Sequence, residues 1–162
     1  SPFPYDGIFR RAVLNFKFHN CGAYAELLSH EMVRSIKDVY RDREFDLVTC
    51  VPMHKDTLRK RGYNQAELLA KECASLLGIE YADLLAKTKK NKTQHSIKAA
   101  ERVKNVIGVY SPIDKNLIKG KRILIIDDII TTGSTLGECA RILNKCKCGE
   151  ICCCTLCTSL LI

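Results

Sequence analysis

The chain has 162 residues, room for one domain of about 100–200 residues and too little for two ordinary ones. Apolar residues make up 46% of it and charged residues 27%, which sets aside the disordered, collagen-like and low-complexity classes. Twenty-six Lys and Arg against 18 Asp and Glu leave a net charge of +8, so polyanions are the favoured partners.

In residues 7–18, Ile8, Phe9, Ala12, Val13 and Phe16 share one helical face while Arg10, Arg11 and Lys17 lie mostly elsewhere, which predicts a short amphipathic helix. Past Gly22, Ala25, Leu28, Met32, Ile36 and Val39 recur at three- and four-residue intervals and predict a longer helix ending near Tyr40. The run FDLVTCVP at 45–52 reads as a buried strand stopped by Pro52. A basic loop over 53–65 follows, then a helix from Ala66 to Leu77 that Gly78 terminates. Residues 80–86 read as a short strand, and the polar, Lys-rich 87–98 as a solvated, mobile loop. A helical turn from 99 leads to a strand over 106–110 that Ser111-Pro112 ends, and a linker runs to Gly120.

The remainder predicts a strand over 122–127, a polar Gly-containing turn to Ser134, a helix carrying Leu136, Ala140 and Leu143, and a strand over 151–157. Such a strand-loop-helix-strand unit builds a parallel sheet with right-handed crossovers, so the expected fold class is α/β, a central, mainly parallel sheet flanked by helices. No run approaches the ~18–20 apolar residues of a membrane span, and Ser1–Tyr5 offers no basic-then-apolar leader, so neither membrane insertion nor secretion is expected.

The segment ILIIDDIITTGST, residues 123–135, holds the densest chemistry. An apolar strand ends in Asp127 and Asp128, and ligands of open α/β sheets bind beyond the carboxyl ends of strands. Thr131, Thr132, Gly133, Ser134 and Thr135 then supply hydroxyls and closely spaced N–H groups at a helix N-terminus, a favourable place for a phosphate. Gly133 lets the backbone approach the anion closely. A ligand carrying vicinal hydroxyls for the carboxylates and a phosphate for the cradle satisfies both parts, and ribose 5-phosphate has that shape.

This segment closely resembles the phosphoribosyl-pyrophosphate motif of type I phosphoribosyltransferases, in which two acidic residues follow four apolar ones and precede a Thr-Thr-Gly-type loop. Two further blocks resemble the ComF family: VPMHKDTLRKRGYNQAELLAKE at 51–72, and TQHSIKAAERVKNVIGVY at 93–110 with Thr93, Gln94, Glu101-Arg102, Asn105 and Gly108. The resemblance runs from the Tyr5-x-Gly7 start and Lys17-Phe18 to the last strand. ComF-like proteins usually carry a four-cysteine zinc module ahead of this domain, and the chain starts immediately downstream of where it would lie. The resemblance implies a single phosphoribosyltransferase-like domain over 1–162, with a helical hood over 1–44 and an α/β core over 45–162.

It also implies roles. Lys55, Arg59, Lys60, Arg61 and Gly62 fall where the type I fold keeps its pyrophosphate loop, and Arg61 is the strongest choice because a planar fork grips two phosphate oxygens. Lys90, Lys92 and Gln94 lie in the counterpart of a flexible loop that closes over the site and excludes water. Asp127 and Asp128 are the catalytic candidates, with magnesium carried by the ligand near them rather than by a protein metal site. The implied activity is transfer of phosphoribosyl to an unidentified acceptor with release of pyrophosphate, a reaction of nucleotide metabolism. The alternative is a non-catalytic protein that binds the donor or serves DNA uptake in natural competence, with single-stranded DNA or the uptake machinery as partner; a homodimer is also open.

The ten cysteines suit a reducing cytoplasm better than a disulfide framework, because the chain has long amphipathic segments. Six of them lie between Cys146 and Cys157, yet only Cys154 and Cys157 have C-x-x-C spacing and no second pair completes a tetrahedral set. An extended strand sends Cys152 and Cys154 to one face and Cys153 to the other, so the cluster reads as core filling.

Overall fold

The computed structural model describes residues 1–18, 22–89 and 106–159. In chain order, β1 (Phe3–Pro4) leads into α1 (Gly7–Phe18) and α2 (Gly22–Val39), and β2 (Leu47–Cys50) into α3 (Lys55–Arg61) and α4 (Gln65–Leu77). Three short strands follow, β3 (Glu80–Tyr81), β4 (Leu85–Lys87) and β5 (Tyr110–Pro112), and then the four-residue helix α5 (Lys115–Ile118). The chain then runs through β6 (Arg122–Ile130), α6 (Ser134–Lys145) and β7 (Glu150–Thr158). Five strands make one parallel sheet in the order β1-β7-β6-β2-β3, and β4 pairs antiparallel with β5 in a separate ribbon.

The continuous apolar run of β6 is explained by cover on both faces. Leu124 and Ile126 pack with α1, α2 and α4, while Ile123 and Ile125 pack with α5 and α6, and all four are 0% exposed. β7 repeats the pattern with cysteine. Cys152, Cys154 and Leu156 face the first core, Ile151 and Cys153 the second, as strand alternation requires. Burial pushes the Cys154 thiol up to about 11 and the Cys73 thiol to about 12, so both stay neutral packing groups at ordinary pH.

Two polar ties fix the frame. Asp46, just before β2, accepts the backbone N–H of Arg122 at 2.7 Å and two bonds from its guanidinium at 3.1 and 3.2 Å. Buried Glu138 of α6 accepts the Gly108 N–H at 2.8 Å and binds the Arg141 fork with both oxygens.

Several expectations are corrected. The basic stretch at 53–65 is a loop only at its ends: Lys55–Arg61 forms a helix without a buried stripe, held by its caps. His54 Nδ1 accepts the Asp56 N–H at 3.2 Å, and Gly62, at φ 87°, returns its N–H to Leu58 O at 2.7 Å. The expected strand at 80–86 divides between the main sheet and the ribbon. Residues 106–108 form a turn with Gly108 at φ 71°, and the strand comes later, through Pro112, which an edge position tolerates. The linker before Gly120 contains α5, capped by Asp114. Finally, β6 continues past the acid pair, Asp127 standing opposite Thr155 and Ile130 opposite Thr158, so the carboxylates lie within the strand. The helical turn expected from 99 lies outside the described residues.

Candidate functional site

At the carboxyl ends of β2 and β6 lies a cavity of about 440 Å³. Its base carries Asp127 and Asp128, with Thr131 from the following turn and Thr135 from the first turn of α6. Asp127 Oδ1 accepts the Asp128 N–H at 2.9 Å, which orients one carboxylate of the pair. A smaller cavity of about 30 Å³ adjoins, sharing Asp127, Ile129, Thr131 and Thr135 and adding Thr132, Gly133 and Ser134. There Thr132 Oγ1 and Ser134 Oγ share a hydrogen bond of 2.7 Å, and Gly133 turns the chain at φ 72°. Gly133 is also the N-cap of α6 and supplies no capping side chain; the Ser134 N–H donates to Thr132 Oγ1 at 3.4 Å, and the helix start as a whole suits an anion.

The opposite wall comes from α3 and the start of α4. Helical periodicity places His54, Thr57 and Arg61 on the cavity face. Lys55, Arg59, Lys60 and Gly62 are exposed and do not line the cavity. Thus five residues expected together in one loop are parted by the helix, and Arg61 alone among them reaches the wall. Asn64 joins this wall to β2: its Nδ2 donates to Val51 O at 3.1 Å while its Oδ1 caps α4 through the Ala66 N–H at 3.2 Å. Arg61 Nη1 donates to Gln65 Oε1 at 2.8 Å.

A third wall belongs to the ribbon. Lys87 and Tyr110 are paired across β4 and β5, and the Lys87 ammonium stands 5.5 Å from the Tyr110 ring centre. Burial lowers the Lys87 pKa, opposed by the negative field of neighbours that include Asp127. Burial likewise raises that of Tyr110, with the Thr135 side chain opposing the shift. Tyr5 completes the lining.

The structure therefore brings Asp127, Asp128, Thr131, Thr135 and Arg61 together in one cavity, with Thr132, Gly133 and Ser134 next to it. Lys90, Lys92 and Gln94 lie outside the described residues. Sequence reasoning missed Lys87, Tyr110, His54, Thr57, Gln65 and Tyr5. Lys87 was hidden at the edge of a Lys-rich run. The signal for Thr57 was its four-residue spacing from Arg61, legible once 55–61 is read as a helix.

Residues 63–160 match the phosphoribosyl transferase domain family. The chain is 31% identical over 144 residues to competence protein F of Haemophilus influenzae, covering 86% of this chain and 63% of that one. With competence protein ComFC of Bacillus subtilis it shares 30% identity over 152 residues, 93% of this chain and 60% of the relative. It thus spans just under two thirds of the length of these curated relatives. The DNA utilization protein YhgH of Escherichia coli K12 is 29% identical over 62% of the chain and 44% of its own length. Among solved structures, the glutamine phosphoribosylpyrophosphate amidotransferase of B. subtilis superposes with a TM-score of 0.52 at 22% identity, over 80% of this chain and 25% of that one. The APRTase of Giardia lamblia gives 0.51 at 16% identity, over 80% and 69%. The architecture is that of the type I phosphoribosyltransferases, and the chain belongs to the phosphoribosyl transferase domain family.

Proposed function

We propose that the cavity binds the magnesium complex of phosphoribosyl pyrophosphate and that the protein transfers the phosphoribosyl group to an acceptor, releasing pyrophosphate. One observation carries this reading: a single cavity joins an acid pair, a hydroxyl-rich helix start and two cations from separate walls, Arg61 and Lys87. The 5-phosphate is placed on the 131–135 cradle and the ribose hydroxyls against Asp127 and Asp128. The diphosphate then lies toward Arg61 and Lys87.

As the bond from the anomeric carbon to the diphosphate breaks, positive charge grows on the sugar and negative charge on the leaving group. Asp127 and Asp128 stabilise the first, Arg61 and Lys87 the second, by fixed electrostatics at positions set before reaction. Two adjacent carboxylates at the cavity base suit a hard, oxygen-liganded cation, and magnesium brought by the ligand would, when bound beside Asp127 and Asp128, supply further neutralisation of the leaving group. Residues 1–44, of which Tyr5 reaches the cavity, are assigned to the hood over the acceptor side of a single domain spanning 1–162.

Calorimetric titration of the donor with and without magnesium tests the reading. The Asp127→Asn, Asp128→Asn double variant is expected to lose at least about tenfold in affinity, and unchanged binding would refute the assignment. A screen of acceptor bases and amines for pyrophosphate release then identifies the second substrate.

A second reading draws on the outward face of α3, where Lys55, Arg59 and Lys60 are exposed away from the cavity. With relatives named for competence and DNA utilization, that face fits a single-stranded nucleic acid. Replacing the three with Gln is expected to weaken oligonucleotide binding and flatten its salt dependence while donor binding persists. Donor binding without pyrophosphate release under every acceptor favours this reading over catalysis.

A further inference from the structure

Gln65 opens α4, lines the cavity and is only 1% exposed. Its Oε1 accepts from Arg61 Nη1 at 2.8 Å, and its Nε2 is the one buried side-chain N or O atom without a hydrogen-bond partner among the described residues. The amide cannot be turned over to relieve this. A guanidinium only donates, so the oxygen must face Arg61 and the nitrogen must remain where it is. A buried N–H without an acceptor is costly and uncommon in native proteins, so this one needs a cause. Packing supplies none, since methionine would fill a similar volume without the penalty.

The surroundings say what the missing acceptor is. Arg61 has donors beyond the one spent on Gln65, and Lys87 offers an ammonium on the ribbon wall. His54 accepts the Asp56 N–H at Nδ1, which places a ring proton on Nε2 as another donor. Asn64 is already committed, its amide engaged with Val51 O and the Ala66 N–H. A wall so rich in donors and positive charge suits a multiply charged group made only of acceptors. We propose that Gln65 is a ligand-reading residue, donating Nε2–H to a diphosphate oxygen while its Oε1 holds the Arg61 fork on the same group. This rests on the assignment of the cavity to phosphoribosyl pyrophosphate, and it gives Gln65 the diphosphate end.

The test is separate calorimetric titration of the wild type, Gln65→Glu and Gln65→Met with magnesium pyrophosphate and with ribose 5-phosphate. Gln65→Glu keeps an oxygen for Arg61 but replaces the donor with an acceptor. Its pyrophosphate affinity is expected to fall about tenfold to a hundredfold while ribose 5-phosphate stays within about twofold. Gln65→Met removes both groups at similar volume; it should lose pyrophosphate binding comparably without a lower melting temperature, and it gives the same readout if the Glu variant does not fold. Equal loss of both ligands would show a structural role and overturn the proposal, as would full pyrophosphate affinity in the variants. A wild type that binds neither ligand overturns the parent assignment with it, whereas a wild type that binds both, beside unaffected variants, overturns this inference alone.

Discussion

Lys87 and Tyr110 face each other across the two-stranded ribbon, the ammonium 5.5 Å from the ring centre, so a cation is built into one wall of the cavity. Because burial lowers the Lys87 pKa, its charge is lost at lower pH than that of an exposed lysine. A bound anion favours the charged form, so affinity is present below that pKa and falls as pH rises through it. Lys87→Met is expected to weaken magnesium pyrophosphate binding about tenfold. Lys87→Arg is expected to retain binding and lose the alkaline decline. Titrations from neutral pH upward check both, and a wild-type affinity that stays flat with pH would remove Lys87 from the site.

Asp46 and Arg122 give a prediction in acid. Hydrogen bonds from Arg122 hold the Asp46 carboxyl at about 2 instead of its ordinary 3.8. For a carboxyl so depressed, the stabilisation is full above the unfolded value and is lost as pH falls through the folded one. Asp46→Asn should therefore melt below the wild type near neutral pH. The gap between the two should close as pH drops from about 4 toward about 2. A gap that is unchanged at low pH would mean the ion pair is not its source.

Two glycines of neighbouring sequence are expected to respond oppositely to alanine. At Gly133 the backbone is left-handed, φ 72°, and an added methyl would meet Ile130 Cδ1 only at 3.8 Å, so the penalty is strain without a clash. Gly133→Ala should cost about 1–2 kcal/mol and weaken ribose 5-phosphate binding. Gly137, inside α6 with nothing within 4 Å of the new methyl, should gain up to about 1 kcal/mol on the same change. Denaturant melts of the pair decide it.

Thiol chemistry separates the described cysteines. Cys148 is partly exposed, whereas Cys50, Cys73 and Cys139 are buried, and burial pushes Cys50 and Cys73 to about 12. Alkylation of the folded protein followed by peptide mapping should mark Cys148 well before those three. Equal rates would mean that the core opens on the timescale of labelling.

Much of this architecture was legible because it rests on periodicity. The strand runs of β2, β6 and β7 and most of the stripes of α1, α2 and α4 come from burial patterns that any apolar count detects, although Ile8 and Val39, expected on the apolar faces, are exposed at the helix ends. Asp127, Asp128 and the 131–135 cradle were legible because their neighbours in space are also neighbours in sequence. α3 was not, since its seven residues bury nothing and its stability lies in a histidine cap and a left-handed glycine. Gln65 and Lys87 escaped for another reason. What makes them notable, an unpaired amide and a cation against a ring, exists only after distant segments meet.

The bond from Glu138 to the Gly108 N–H has a mechanical meaning. α6 begins at the 131–135 turn and, one turn later, clamps the turn that leads into Tyr110, with Thr135 at the same helix start lining the cavity beside Tyr110. The proposed cradle and the ribbon are thus joined through one helix. The opposite wall carries Arg61 and Gln65 on either side of the junction between a seven-residue helix and its longer successor, bonded to each other across it.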